Sequence, residues 1–150
     1  MTQARFRLEG LLQFTEQLVD LLILELSALE RRLQAARADY EALKQADATA
    51  LEGLARARPE VLPTAFAYLD RLRARAEELT RAIADLEGQL ARKREELLAA
   101  EKEHKMLLKL KEEFEATMRA GLRRREQQFL DDLGSSRHWR RRCGGGRAAG

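Results

Sequence analysis

The stretch LEGLLQFTEQLVDLLILELSALERRLQAARADYEALKQADATALEGL, residues 8–54, decides the fold. Stepping alternately four and three residues from Leu8 reaches Leu12, Thr15, Val19, Leu22, Leu26, Leu29, Leu33, Ala36, Tyr40, Leu43, Asp47, Ala50 and Leu54. Only Thr15 and Asp47 break the apolar run. The residues between are mostly Glu, Gln, Arg, Asp and Ala. An apolar seam this regular needs a partner helix, because one helix alone would leave it in water.

The partner lies further along the same chain. The pattern breaks where Gly53, Pro59 and Pro63 weaken or forbid helix, and Thr64 is placed to cap a new one. The seam then resumes at Leu69, Leu72, Ala76, Leu79, Ile83, Leu86, Leu90, Lys93, Leu97, Ala100, His104 and Leu107. Two long helices joined by a short connection fold back on each other. The expectation is an all-α antiparallel coiled-coil hairpin spanning residues 1–136. Helix 1 covers about 4–54, the connection about 54–64, and the longer helix 2 about 65–133. A turn near residue 60 sets Leu43 near Ala76 or Leu79, Leu26 near Leu90 or Lys93, and Leu12 near Leu107.

Beyond Leu107 the strict repeat gives way to Leu110, Phe114, Met118, Leu122, Phe129 and Leu133, mostly at four-residue steps. Helix 1 runs out of chain opposite about residue 116. The last turns of helix 2 should therefore overhang with an unpaired amphipathic stripe, a candidate docking surface. Gly134 with two serines reads as the helix end, and residues 137–150 as a disordered basic tail.

Composition agrees. Of 150 residues, 35% are charged and only 5% aromatic, the balance of a coiled coil rather than of a wide enzyme core. The net charge of +3 comes from the tail, which holds Arg137, Arg140, Arg141, Arg142 and Arg147 and no acid. Without those five, 23 basic residues face 25 acids, so the body shows no clear basic face of the kind nucleic-acid binding needs, although Lys102, Lys105, Lys109, Lys111, Arg119, Arg123, Arg124 and Arg125 give distal helix 2 a basic bias, much of it offset by neighbouring acids. No apolar run approaches the roughly 20 residues of a membrane span.

Nothing in the chain assembles catalytic chemistry. Pairs such as Glu77-Glu78 and Asp131-Asp132 recur along the chain and have no cleft to separate their acidities. His138 and Cys143 are two ligands where zinc needs three or four. Gly144-Gly145-Gly146 lacks the Gly-Lys-Ser/Thr ending of a phosphate loop. The expectation is no enzyme, no catalytic, cofactor or metal residues, and no small-molecule substrate.

Three segments resemble the flagellar export protein FliJ family. Phe6-Arg-Leu-Glu-Gly-Leu-Leu is similar to the family's Phe-x-Leu-x-x-Leu-Leu opening. Ala65-Phe-Ala-Tyr-Leu-Asp-Arg-Leu is similar to the aromatic-rich start of its second helix. Residues 101–132 resemble its basic run ending in Glu-Gln-Lys-x-Leu-Asp-Glu, with Gln128 where Lys is common and Asp132 where Glu is more frequent. The Arg/Gly tail departs from the pattern and inherits nothing.

The resemblance implies a non-enzymatic part of the bacterial flagellar type III export apparatus. Such a protein binds the export ATPase ring as a stalk and promotes its assembly. It also links the ring to the cytoplasmic domain of the export gate and to export chaperones. The implied location is cytoplasmic, peripheral to the inner membrane at the flagellar base, with membrane contact only through partners. Carried over, the gate-facing patch is Phe66, Tyr68, Leu69 and Leu72. The ATPase-facing end holds Met118, Arg119, Leu122, Arg123, Arg124, Arg125, Phe129 and Leu133. The competing reading is a generic coiled-coil scaffold, or a stalk subunit of another rotary or secretion ATPase, whose basic tail meets nucleic acid or an acidic surface.

Overall fold

The computed structural model describes residues 5–144. They form two helices, α1 at Glu9–Leu54 and the longer α2 at Leu62–Gly144, with no strand among the described residues. The connection between them is only residues 55–61. By internal contacts the chain divides into one unit at Gln13–Glu103 and a second containing residues 5–12 and 104–144.

The first unit is the expected antiparallel hairpin. Leu22, Leu26, Leu29 and Leu33 of α1 are buried, as are Leu69, Leu79, Leu90 and Ala100 of α2. Leu26, Leu29, Leu33 and Leu90 form one cluster, against which Ile83, Leu86 and Leu97 pack. All are seam positions. Burying each leucine contributes about 1.5–3 kcal/mol relative to exposure, so this seam dominates the local energetics. Ion pairs flank it: Arg73–Asp47 at 3.7 Å, Arg37–Glu87 at 2.9 Å, Lys93–Glu25 at 3.0 Å and Arg94–Glu30 at 3.5 Å. Their midpoints fall at residues 59 to 62, the fold-back point expected from the sequence. Exposed pairs of this kind contribute little to stability, but they agree on the register.

In the second unit Leu12 and Leu107 are buried. Phe6 and Phe114 pack with ring centroids 5.6 Å apart. Lys111 Nζ donates to Glu9 Oε1 at 3.2 Å. Both pairs again centre on residue 60.

The helix ends differ from those expected. α1 begins at Glu9 rather than near residue 4, because residues 7 and 8 form a turn closed by Glu9 N–H donating to the Phe6 carbonyl. α2 begins at Leu62, not near 65. Pro63 is harmless in a first turn, where its missing donor would have no helical acceptor, and Thr64 lies inside the helix rather than capping it. At the far end α2 passes through Gly134 and continues to Gly144. Residues 137–144, expected to be disordered, are helical, and 145–150 lie outside the described residues. Gly134 keeps a negative φ, so it is not a left-handed cap. A mid-helix glycine costs only about 0.5–1 kcal/mol. The arginines that follow are good helix formers, and Arg141 and Arg142 sit in the last turn, where they complement the helix dipole.

Candidate partner-binding surfaces

Every described residue from Glu115 to Gly144 is exposed. Over these residues α2 is a single helix with no packing partner among the described residues, as the overhang argument required. Met118, Leu122, Phe129 and Leu133 recur at four- and seven-residue steps and so share one face. Phe129 is 64% exposed and Leu122 55%. Leu130 and Trp139 are also exposed. Leu130 escaped the sequence reading because it stands one residue off the stripe.

The charge around this stripe is unbalanced. Arg119, Arg123, Arg124 and Arg125 are exposed, as are Arg137, Arg140, Arg141 and Arg142. None of the eight forms an ion pair within the described residues, although eight other basic–acidic pairs do form. The four acids of this segment, Glu115, Glu126, Asp131 and Asp132, are outnumbered. An unpaired apolar stripe rimmed by guanidinium groups suits an acidic or carbonyl-rich partner surface.

At the hairpin turn the expected patch is only half surface. Phe66 and Tyr68 are 55% and 45% exposed, but Leu69 is 2% exposed and Leu72 is half-buried. Leu69 opens the second seam, and the seam claims it. It can support Phe66 and Tyr68 from beneath, not meet a partner.

A third surface was not anticipated. The outward side of α1 displays Phe14, Leu21 and Leu24, which are 60%, 52% and 67% exposed. With Leu18 they make a second apolar stripe beside the buried seam. The signal was present in the seven-residue step from Phe14 to Leu21, but the dominant seam absorbed the reading.

The polar seam positions are accommodated without forming a reaction centre. Lys93 Nζ lies 3.0 Å from Glu25 and 3.2 Å from Glu96. Hydrogen bonding to Glu25, then to Glu96, holds its pKa above the ordinary lysine value. Asp47 Oδ1 is buried without a hydrogen bond, and Arg73 at 3.7 Å offers it Coulombic attraction only. His104 is half-buried on the seam. No group of three metal-ligating side chains occurs among the described residues, and Cys143 is exposed. No described helix is long and apolar enough to cross a membrane.

What remains is an antiparallel helical pair in one unit and, in the other, an exposed stretch of α2 that carries an apolar stripe and unpaired arginines. The model of one protein family, the flagellar FliJ proteins, matches residues 3–143, which is nearly the whole chain. The chain belongs to the FliJ family. No curated protein and no solved structure matches it. FliJ membership makes the chain a component of the flagellar export apparatus. The match runs through residues 134–143, so the arginine segment set apart in the sequence lies within the FliJ region.

Proposed function

We propose that this FliJ-family protein binds the flagellar export ATPase ring as a stalk, promotes ring assembly without itself catalysing a reaction, and links the ring to the export gate and to export chaperones. The observation that carries the reading is the exposure of α2 from Glu115 to Gly144. A helix of this length gains little from propensity alone and is normally stabilised by packing its apolar face. The stripe Met118, Leu122, Phe129 and Leu133 supplies the apolar contact, and Arg119, Arg123, Arg124 and Arg125 supply its polar rim. Phe66 and Tyr68, supported by Leu69 and Leu72, form the second contact, toward the cytoplasmic domain of the gate. Two packed helices are about 20 Å across, narrow enough for a ring pore. The protein would thus work in the cytoplasm, held at the inner membrane through its partners.

Phe129→Ala with Leu133→Ala tests the reading. Both side chains are exposed, so helicity and thermal midpoint should be unchanged. Stimulation of ATPase ring assembly should fall at least tenfold, as loss of two central apolar contacts commonly does. Full stimulation by the folded double variant would move the contact elsewhere, with Phe66 and Tyr68 the next residues to test.

A further inference from the structure

A second row of side chains runs along distal α2, beside the apolar stripe. Stepping alternately four and three residues from Arg119 reaches Arg123, Glu126, Leu130, Leu133, Arg137 and Arg140, with Arg141 alongside. Such steps keep to one face of a helix. Every member of the row is exposed. Its five arginines form no ion pair among the described residues. Glu126 is the one acid in the row. Asp131 and Asp132 fall on the other side of the helix, and no acid follows them in the sequence. From Arg119 to Arg141 the row is about 33 Å long, at ~1.5 Å per residue. Arginines spread over that length suit an extended anionic surface rather than a single small anion. The leucines decide which kind of surface. A line of nucleic-acid phosphates would set charge against Leu130 and Leu133. A lipid headgroup layer offers phosphates to the arginines and, just beneath, acyl chains to the leucines, while the arginine stems reach back to the headgroups.

We propose that this face of distal α2, centred on Leu130, Leu133, Arg137, Arg140 and Arg141, lies on the surface of an anionic lipid bilayer. The arginines supply most of the attraction and the leucines a shallow apolar hold, so the attachment is peripheral and reversible. The protein then meets the membrane directly as well as through its partners. The row shares Arg119, Arg123 and Leu133 with the surface proposed for the export ATPase, whereas Leu130, Arg137, Arg140 and Arg141 lie outside that surface. The inference rests on the row and its charge, and holds whether or not the ATPase is also a partner.

Co-sedimentation of the full chain with lipid vesicles tests it. Vesicles of phosphatidylcholine with ~30% phosphatidylglycerol should bind the protein at ~0.1 M salt and release it at ~0.5 M, and pure phosphatidylcholine should not bind it. Arg137→Gln with Arg140→Gln and Arg141→Gln should weaken binding at least tenfold, since each arginine near an anionic surface contributes about fivefold. Leu130→Ala should weaken it at least threefold through lost apolar contact. Arg142→Gln removes the same charge as Arg141→Gln but from another side of the helix. It should therefore cost less than about twofold where Arg141→Gln costs about fivefold. All these side chains are exposed, so circular dichroism should report the same helicity throughout. Failure to bind the anionic vesicles overturns the proposal. So does equal weakening by Arg141→Gln and Arg142→Gln, which would reduce the effect to net charge. So does tighter binding of a ~20-nucleotide RNA that Leu130→Ala leaves unchanged, which would assign the row to nucleic acid. The ATPase reading is tested separately, because the triple glutamine variant keeps every residue proposed to meet the ATPase. It should lose vesicle binding and still stimulate ring assembly.

Discussion

At the scale of single residues, Lys93 and Gly134 are the most informative. Lys93 occupies a seam position, where an apolar residue would pack better, and answers with Glu25 and Glu96. Its pKa is raised on folding, so its contribution is complete below the ordinary lysine value of 10.5 and is lost as pH climbs through the raised one. Neutral and mildly alkaline solutions should therefore show no effect from this group. Lys93→Met should fold with equal helicity. Thermal midpoints of the two proteins should run parallel up to about pH 10, above which only the wild type should lose this contribution. A difference that appears instead near neutrality would mean another group governs the pair. Gly134 tests where α2 ends. Its φ is negative, and beyond its chain neighbours and the helix's own backbone no heavy atom lies within 4 Å of where a Cβ would stand. Gly134→Ala should stabilise a continuous helix by about 0.5–1 kcal/mol and raise the helical circular dichroism signal. A left-handed cap would give the opposite sign, with a loss of signal.

At the scale of elements, the pairing of α1 with α2 was legible because a seven-residue repeat leaves few alternatives. The seam residues of both helices supply the buried leucines, and the expected fold-back near residue 60 matches the observed ion pairs. The helix ends were less legible. Glycine and serine after Leu133 weaken a helix without breaking it, and Pro63 breaks one only beyond the first turn. Of the proposed surfaces, the distal stripe followed from chain arithmetic, because α1 cannot cover residues that have nothing opposite them. Leu69 was misplaced because family resemblance put it on a contact patch while its own seam spacing put it inside. Spin labels at exposed Ser27 and Gln89, with Cys143 replaced, should lie within about 30 Å of each other in one chain, given helices about 10 Å apart. A single continuous helix would separate them by about 90 Å. Truncation after Leu133 should leave the unfolding midpoint unchanged, because the removed residues bury nothing in the described structure. It should cost only helical signal in proportion to length, and a fall in midpoint of several degrees would show that the segment packs on the hairpin.

At the scale of the whole molecule, the proposed function rests on the inequality between the two helices. α1 has 46 residues and α2 has 83, so much of α2 has no α1 to pair with. That unpaired length combines an apolar stripe with arginines that form no ion pair among the described residues, and it belongs to a chain of the flagellar FliJ family. A helix without a packing partner opens locally at low cost, and its amides exchange quickly until something covers it. Hydrogen exchange on the protein with and without the export ATPase therefore tests the central claim most directly. The account predicts rapid exchange across residues 117–133 in the free protein and at least tenfold slowing there on binding, with amides at Leu26–Leu33 unchanged. Slowing confined to the turn around Phe66 and Tyr68, with residues 117–133 still exchanging freely, would contradict it.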